Sequence, residues 1–544
     1  MTVTCHQNLS NKLQWKIVVK KNHHFVFKVA QKSKHPPQKS LAGSERRDIL
    51  YQGFASLVAY SLAIHAGINL AISTVLHPQL EVTKEQASWI ASLGAIGTPI
   101  GSIGVGFVMD RIGRQKTLVV ACAPIIVAWT IFCLLPSEFD IRLIYLARFM
   151  EGFGAGMTSI SIVYVAETTN KHWRPLFLSF NSIAVSAGIL LTTTIGVLLA
   201  WRAYALFCLS MATVSAIVCL TLPESPSWLV QFDPELAKKE LARLNTSPKD
   251  FDAEWNILES KLKKAPEKKE RKFFTSDKKI IRPLAMVLAL LTLQQLVGIY
   301  PTIFYALELF QKVRSNVIEF RPTTVTASYN LTTVANASNV LNAFNFTNTS
   351  LQLTNATNVT STTPVPSSHV AGKLELTNPA VLALMSLGCI RFVVSIVMTM
   401  LSKKFGVRSL LIFSSFGIGV SSVAFAFHQV GWCSQSSDTV SFAIILCFIT
   451  FGSLGLMVIP WTLVGEVLPM EFRGVGQGIS VAYAFVVMFF VVKFYPFIED
   501  ELGTSLVFLI FGSVAFVTVG FVYFFVPDTL GKTMDEIQKF FVKR

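Results

Sequence analysis

Residues 167–174 read Glu-Thr-Thr-Asn-Lys-His-Trp-Arg, and residues 466–473, Glu-Val-Leu-Pro-Met-Glu-Phe-Arg, repeat the same outline 299 positions later: an acid, six residues, an arginine. Each follows one apolar run and precedes the next. Two more pairs stand at nearly the same offset. Gly106-Phe-Val-Met-Asp110-Arg111-Ile-Gly113-Arg114 is echoed by Lys403-Lys404-Phe405-Gly406-Val407-Arg408, offset by 293, and Pro223-Glu224-Ser225 by Pro527-Asp528-Thr529, offset by 304. Chance gives one such pair; three in register argue for two matching halves.

Working outward, each half holds six runs of the roughly 20 apolar residues that cross a bilayer. They lie near 51–75, 87–108, 117–136, 141–165, 177–199 and 202–222, then 283–310, 379–401, 409–428, 440–464, 475–496 and 504–526. The expected fold is an all-α membrane protein with twelve transmembrane helices in two pseudo-symmetric six-helix bundles, 49–222 and 283–526. Two parallel halves around a central site are a transporter arrangement. Composition agrees: 52% of residues are hydrophobic and 15% charged, against about 25% charged in soluble domains. The net charge of +15 sits between the apolar runs, which suits the positive-inside rule. No basic tract interleaved with aromatics suggests nucleic acid. The partners expected are the lipid bilayer and a small polar solute, with the chain working as a monomer. The eight cysteines show no metal-ligand spacing, and no metal or cofactor is expected.

Charge also sets the orientation. The tail 1–48 carries ten Lys/Arg against two acids, and the linker 223–282, read as short amphipathic helices, carries fourteen Lys/Arg. Both should be cytoplasmic, as should the tail 527–544. The loop 311–378 differs: between Arg321 and Lys373 it has no charged residue, and it carries sequons at Asn330, Asn336, Asn345, Asn348, Asn355 and Asn358. Glycosylation there requires the extracellular side, where the span count also puts it. Sequons at Asn8 and Asn245 should stay bare. The first 48 residues have no clean signal-peptide core, so the expectation is a multi-pass plasma-membrane protein with both termini inside.

A few polar residues interrupt the runs. Gln294 and Gln295 lie mid-run, where an unpaired amide costs a few kcal/mol. Either a neighbouring helix satisfies them, or they face a cavity and bind hydroxyl groups. Trp461 follows Pro460, which kinks a helix; its indole either packs in the core or covers a solute ring. Arg391 stands near the middle of the eighth run. It either pairs structurally or lines the cavity, where a guanidinium would favour a carboxylate or phosphate.

These motifs resemble the sugar porter family of the major facilitator superfamily over about residues 50–540, and within it the insect facilitated trehalose transporter-like group, as a divergent member. The resemblance rests on Gly106–Arg114, Arg148, Glu167-x6-Arg174, Pro223-Glu-Ser-Pro226, Gln294-Gln295-x-x-Gly298, Pro460-Trp461-x4-Glu466 and Pro527-Asp-Thr-x-Gly531-Lys532. It implies a facilitative carrier of a hexose or disaccharide, not an enzyme, with Gln294, Gln295, Tyr300, Tyr305, Trp461 and Ser182 as candidate ligands beside Arg391. Tyr300 and Arg391 replace the family's asparagines, Ser182 its fifth-span glutamine and Ala484 its eleventh-span asparagine, so specificity does not carry over. The resemblance also implies a cytoplasmic latch between the halves, drawn from Asp110, Arg111, Arg114, Arg148, Glu167, Arg174, Glu466 and Arg473 and loosened in the second half by Lys403 and Val407. Asn69 stands where proton-coupled members carry an aspartate, which favours a uniport. Two other readings stay open: a carrier of another polar or anionic solute, and a transport-inactive sugar sensor.

Overall fold

The computed structural model describes residues 43–80, 82–136, 140–170, 173–246, 248–263, 278–319, 378–430, 438–468 and 473–528, with 536, 540 and 541. Among these are twelve helices long and apolar enough to cross a membrane. The first six are Arg46–Gln79, Lys84–Ile112, Arg114–Leu134, Ile141–Thr168, Leu176–Gly196 and Trp201–Cys219. The other six are Ile280–Phe304, Pro379–Leu401, Val407–Gln429, Thr439–Val464, Gly476–Leu502 and Thr504–Phe525. They are called the first to twelfth spans below. Large apolar side chains such as Phe107, Phe416, Phe494 and Val517 remain exposed on the outer surface, as lipid-facing side chains must.

Small residues set the packing inside each half. The second span runs close along the fourth because Gly152 rests on Gly94, whose carbonyl a Cβ on Gly152 would strike. With no hydrophobic drive between helices in lipid, such close approach is what holds them. The seam between the halves is formed by the second span against the eleventh and the fifth against the eighth.

The internal repeat survives in the backbone. Gly113 and Gly406, 293 apart, turn with φ of 95° and 77° between consecutive spans. The fourth span's helix stops at Met157 and resumes at Ile160; the tenth's stops at Leu454 and resumes at Ile459, 299 residues after Ile160. Pro460 opens the second piece of the tenth span, a position that tolerates its missing N–H. The seventh span breaks at Gly298, whose φ of 86° is a left-handed value that glycine alone adopts freely. These breaks matter because they place the polar residues.

The linker leaves the sixth span and folds under the first half. Helix Pro234–Leu244 is capped by Asp233, which accepts from the Glu235 and Leu236 amides at 3.1 and 3.0 Å. Its Ala237 and Leu241 pack with Leu258 of helix Pro248–Lys263. Gln52 Nε2 of the first span donates to Leu244 O and Asn245 Oδ1 at 3.0 and 3.1 Å, and Asp48 binds Thr246. Asn245 is thereby buried.

Candidate functional site

Two ends of the bundle are distinguished here by geometry: the linker end, where the linker docks, and the far end opposite it. At the linker end the Gly106–Arg114 motif does local work. Arg114 Nε and Nη2 donate to the two Glu167 carboxylate oxygens at 3.0 and 3.2 Å, and Arg114 also pairs with Asp110 at 3.4 Å. Glu224 Oε1 accepts from the amides of Arg114, Gln115 and Ser225 at 2.7, 3.0 and 2.8 Å. A carboxylate at a helix N-terminus meets both free N–H groups and the positive end of the dipole. Trp228 Nε1 donates to Asp110 O at 3.1 Å. All of these contacts lie within the first half and the adjoining linker, so the motif ties the linker to its own bundle.

The other expected latch residues are not gathered there. Arg148 sits instead deep in the fourth span, fully buried, and pairs with the equally buried Glu151. Its Nε donates to Ile90 O at 2.9 Å, and Nη2 to Asn69 O and Ser73 Oγ at 3.2 and 3.4 Å. A charge this far inside is satisfied by an adjacent acid and backbone carbonyls, not by surface partners. Arg111 is exposed. Arg174 donates to Thr169 O at 2.9 Å and does not reach Glu167. Glu466 is half-buried with Oε2 unbonded. The side chain of Arg473 and the six sequon asparagines of the 311–378 loop lie outside the described residues.

The candidate ligands divide into a seam group and one outlier. Gln294 and Gln295 are both fully buried in protein. Gln294 Nε2 donates to Leu456 O, at the break in the tenth span, at 2.7 Å; that half of the amide is structural. Gln295 has no hydrogen-bond partner on either polar atom. Tyr300, just after the Gly298 break, has Trp461 within hydrogen-bonding reach of its hydroxyl and feels the charge of Arg391, and Trp461 packs against Phe485 of the eleventh span with ring centres 5.7 Å apart. Arg391 contacts the Met457 sulfur beside the same break, and its Nε is unbonded. Ser182 is half-buried on the fifth span. Tyr305 belongs elsewhere: it stacks on Tyr495 at 5.4 Å and donates to Val492 O at 3.2 Å, toward the far end.

At that far end the halves are stitched together. Thr74 Oγ1 donates to Ile303 O and Phe304 O at 2.5 and 3.1 Å. His77 Nδ1 faces Glu308 Oε1 at 2.9 Å, and Lys84 pairs with Asp500. Lys493 of the eleventh span donates to Ser88 Oγ at 2.8 Å and stands 3.8 Å from the centre of the Trp89 ring. A cavity of about 330 Å³ lies among His77, Lys84, Tyr305, Glu308 and Asp500; His77, Lys84, Glu308 and Asp500 are engaged in these cross-seam pairs, and Lys312 and Glu499 of its wall pair within the second half.

Sequence reasoning missed Glu151 and Lys493. Glu151 stands three residues after Arg148 inside an apolar run, a spacing that puts the two on one helix face; that was the available signal. Lys493 lies near the end of its run, where a lone lysine reads as reaching for the interface.

The comparisons agree with this architecture. A family model described as "Sugar (and other) transporter" matches residues 50–341 and 355–541. Sugar transporter ERD6-like 6 of Arabidopsis thaliana is 26% identical over 523 residues, covering 93% of this chain and 94% of that protein. The facilitated trehalose transporter Tret1 of Aedes aegypti is 24% identical over 467 residues, 84% of this chain, and the chain spans half (50%) of that protein's length. In fold the chain is similar to the inward open conformation of the xylose transporter XylE from E. coli, with a TM-score of 0.66 at 18% identity, covering 90% of this chain and 100% of that one. With twelve spans, two matching halves and a family match across nearly the whole of both, the chain belongs to the sugar (and other) transporter family.

Proposed function

We propose that the protein carries a sugar, a hexose or a disaccharide such as trehalose, down its gradient across the plasma membrane by alternating access. The observation that carries this reading is the seam group. Gln295 offers an amide with no protein partner, able to serve hydroxyls as donor and acceptor at once. Trp461 and Tyr300 offer aromatic surface at the helix breaks of the same half. A wholly structural role for these residues would leave Gln295 paying an uncompensated desolvation penalty.

Sidedness follows from charge. The basic linker marks the linker end as cytoplasmic, and the charge-free, sequon-bearing loop marks the far end as extracellular. On this reading the far-end stitches shut the extracellular mouth. A uniport fits the membrane-buried charges of the first half, since Arg148 and Glu151 neutralise one another and Asn69 carries no proton.

Uptake of a panel of labelled sugars into oocytes, with and without a protonophore, tests the reading. Saturable uptake of glucose or trehalose that is indifferent to the protonophore is expected. Accumulation that collapses with the proton gradient would replace uniport by coupled transport, and surface-expressed protein that moves no sugar would remove the carrier reading.

A further inference from the structure

We propose that the seam site takes an acidic sugar, a monosaccharide bearing one carboxylate, with Arg391 as the carboxylate anchor. This rests on the carrier reading above and names the solute class of that same site.

Arg391 is the thirteenth residue of the eighth span, Pro379–Leu401, about 18 Å from its start at 1.5 Å per residue, and so near the middle of the bilayer. Its direction is fixed by neighbours. Gly388, one turn earlier on the same face, lies against Leu190 and Thr193 of the fifth span, across the seam. Arg391 itself reaches Met457 at the break in the tenth span, and its charge acts on Tyr300 at the break in the seventh. It is 94% buried, at 6% exposure. It thus stands where both halves and two broken helices converge.

The molecule carries its own control. Arg148, in the first half, is fully buried, and there each guanidinium nitrogen has an oxygen to bond: Glu151, Ile90 O, Asn69 O and Ser73 Oγ. Arg391 has a thioether, a weak acceptor, on Nη1 and nothing on Nε. Among the described residues it forms no ion pair. A buried cation without a counter-charge is strongly unfavourable, and evolutionary access to the Arg148 solution is evident in the same chain. The missing anion is therefore supplied from outside.

Its chemistry follows from the surroundings. A guanidinium fork matches a carboxylate in bidentate geometry. With Arg391 the one cation there among the described residues, one negative charge is compensated and the two of a phosphate monoester are not. Tyr300, on which the Arg391 charge acts, supplies a hydroxyl partner, and Trp461 within reach of Tyr300 an apolar ring face, so the anion should be a polyol and not a simple fatty or aromatic acid.

The test uses wild-type protein and R391Q in oocytes, with surface biotinylation, and the purified proteins in a thermal-shift assay; the probes are glucuronate and glucose. Wild type should take up glucuronate saturably and be stabilised by it, and R391Q should lower the glucuronate-to-glucose uptake ratio at least tenfold and abolish the shift. Glucose uptake without glucuronate uptake or stabilisation overturns the inference and leaves the sugar-carrier reading standing. Equal glucuronate handling by R391Q also overturns it, because the anchor is then elsewhere. Surface-expressed wild type that moves and binds neither probe overturns the inference, and if it also moves no sugar of the wider panel, trehalose included, the carrier reading falls with it. Should R391Q fail to reach the surface, R391K decides: its point charge lacks the fork, so a ratio unchanged from wild type counts against the proposal and a several-fold drop supports it.

Discussion

Lys493 of the eleventh span rests its ammonium 3.8 Å from the centre of the Trp89 ring of the second span, while donating to Ser88 beside it. The contact crosses the seam at the far end and adds to the Thr74, His77–Glu308 and Lys84–Asp500 contacts that close it. Cation–π pairs contribute about 0.5–2 kcal/mol depending on desolvation, roughly a two- to thirtyfold bias toward the closed mouth. Lys493→Ala should therefore raise labelling of a cysteine at position 87, on the cavity wall, by an impermeant maleimide. Unchanged labelling would show that the pair does not hold the mouth.

Arg148 and Glu151 should behave as a unit. Removing one partner of a buried ion pair strands the other, at about 3–5 kcal/mol. Glu151→Gln should lower both thermal stability in detergent and surface abundance sharply, whereas Arg148→Met with Glu151→Leu should recover more than half of the loss. A double variant no better than the single would mean that the carboxylate does something besides neutralise the arginine.

Glu224 predicts the opposite pattern to Lys493. Its three backbone donors all belong to the first half and its linker, so Glu224→Ala should cost about 2 kcal/mol of stability without changing labelling at position 87. A change in labelling as large as that of Lys493→Ala would place the motif in the gating equilibrium.

The adjacent glutamines should separate. Gln294→Ala loses the bond to Leu456 O and should chiefly destabilise the protein. Gln295→Ala breaks no protein hydrogen bond and should raise the apparent KM for solute about tenfold at normal surface abundance. Indistinguishable effects from the two substitutions would contradict the division of labour drawn from their partners.

Sidedness has a direct check. Digestion with an N-glycosidase should shift the mass of the native protein, and Asn330→Gln with its five companion substitutions should remove that shift. Asn245→Gln should change nothing, since Asn245 is buried against Gln52. A mass that the enzyme does not shift would remove the sequon argument for the loop's location.

Much of this was legible in the residues. The twelve runs, their division into halves and the glycine turns follow from hydropathy and spacing, because lipid makes a long apolar helix nearly obligatory wherever the chain crosses it. The breaks at Met157 and Leu454 were hidden: the runs are apolar straight through, and only Pro460 announces one of them. Arg148 was expected at the linker end because a family motif gives order along the chain but not depth. Lys493 was invisible for another reason. Its partner, Trp89, is 404 positions away, and cross-seam contacts depend on which state the two halves adopt.

The linker's attachment has a practical consequence. Gln52, Asp48 and Asp110 all grip it, so on the alternating-access reading proposed above the linker through helix Pro248–Lys263 moves with the first half. A chain severed between 264 and 277 should reassemble from two co-expressed pieces. One severed at 223 should not, because the amino-terminal piece would lose the plate that its own first span leans on.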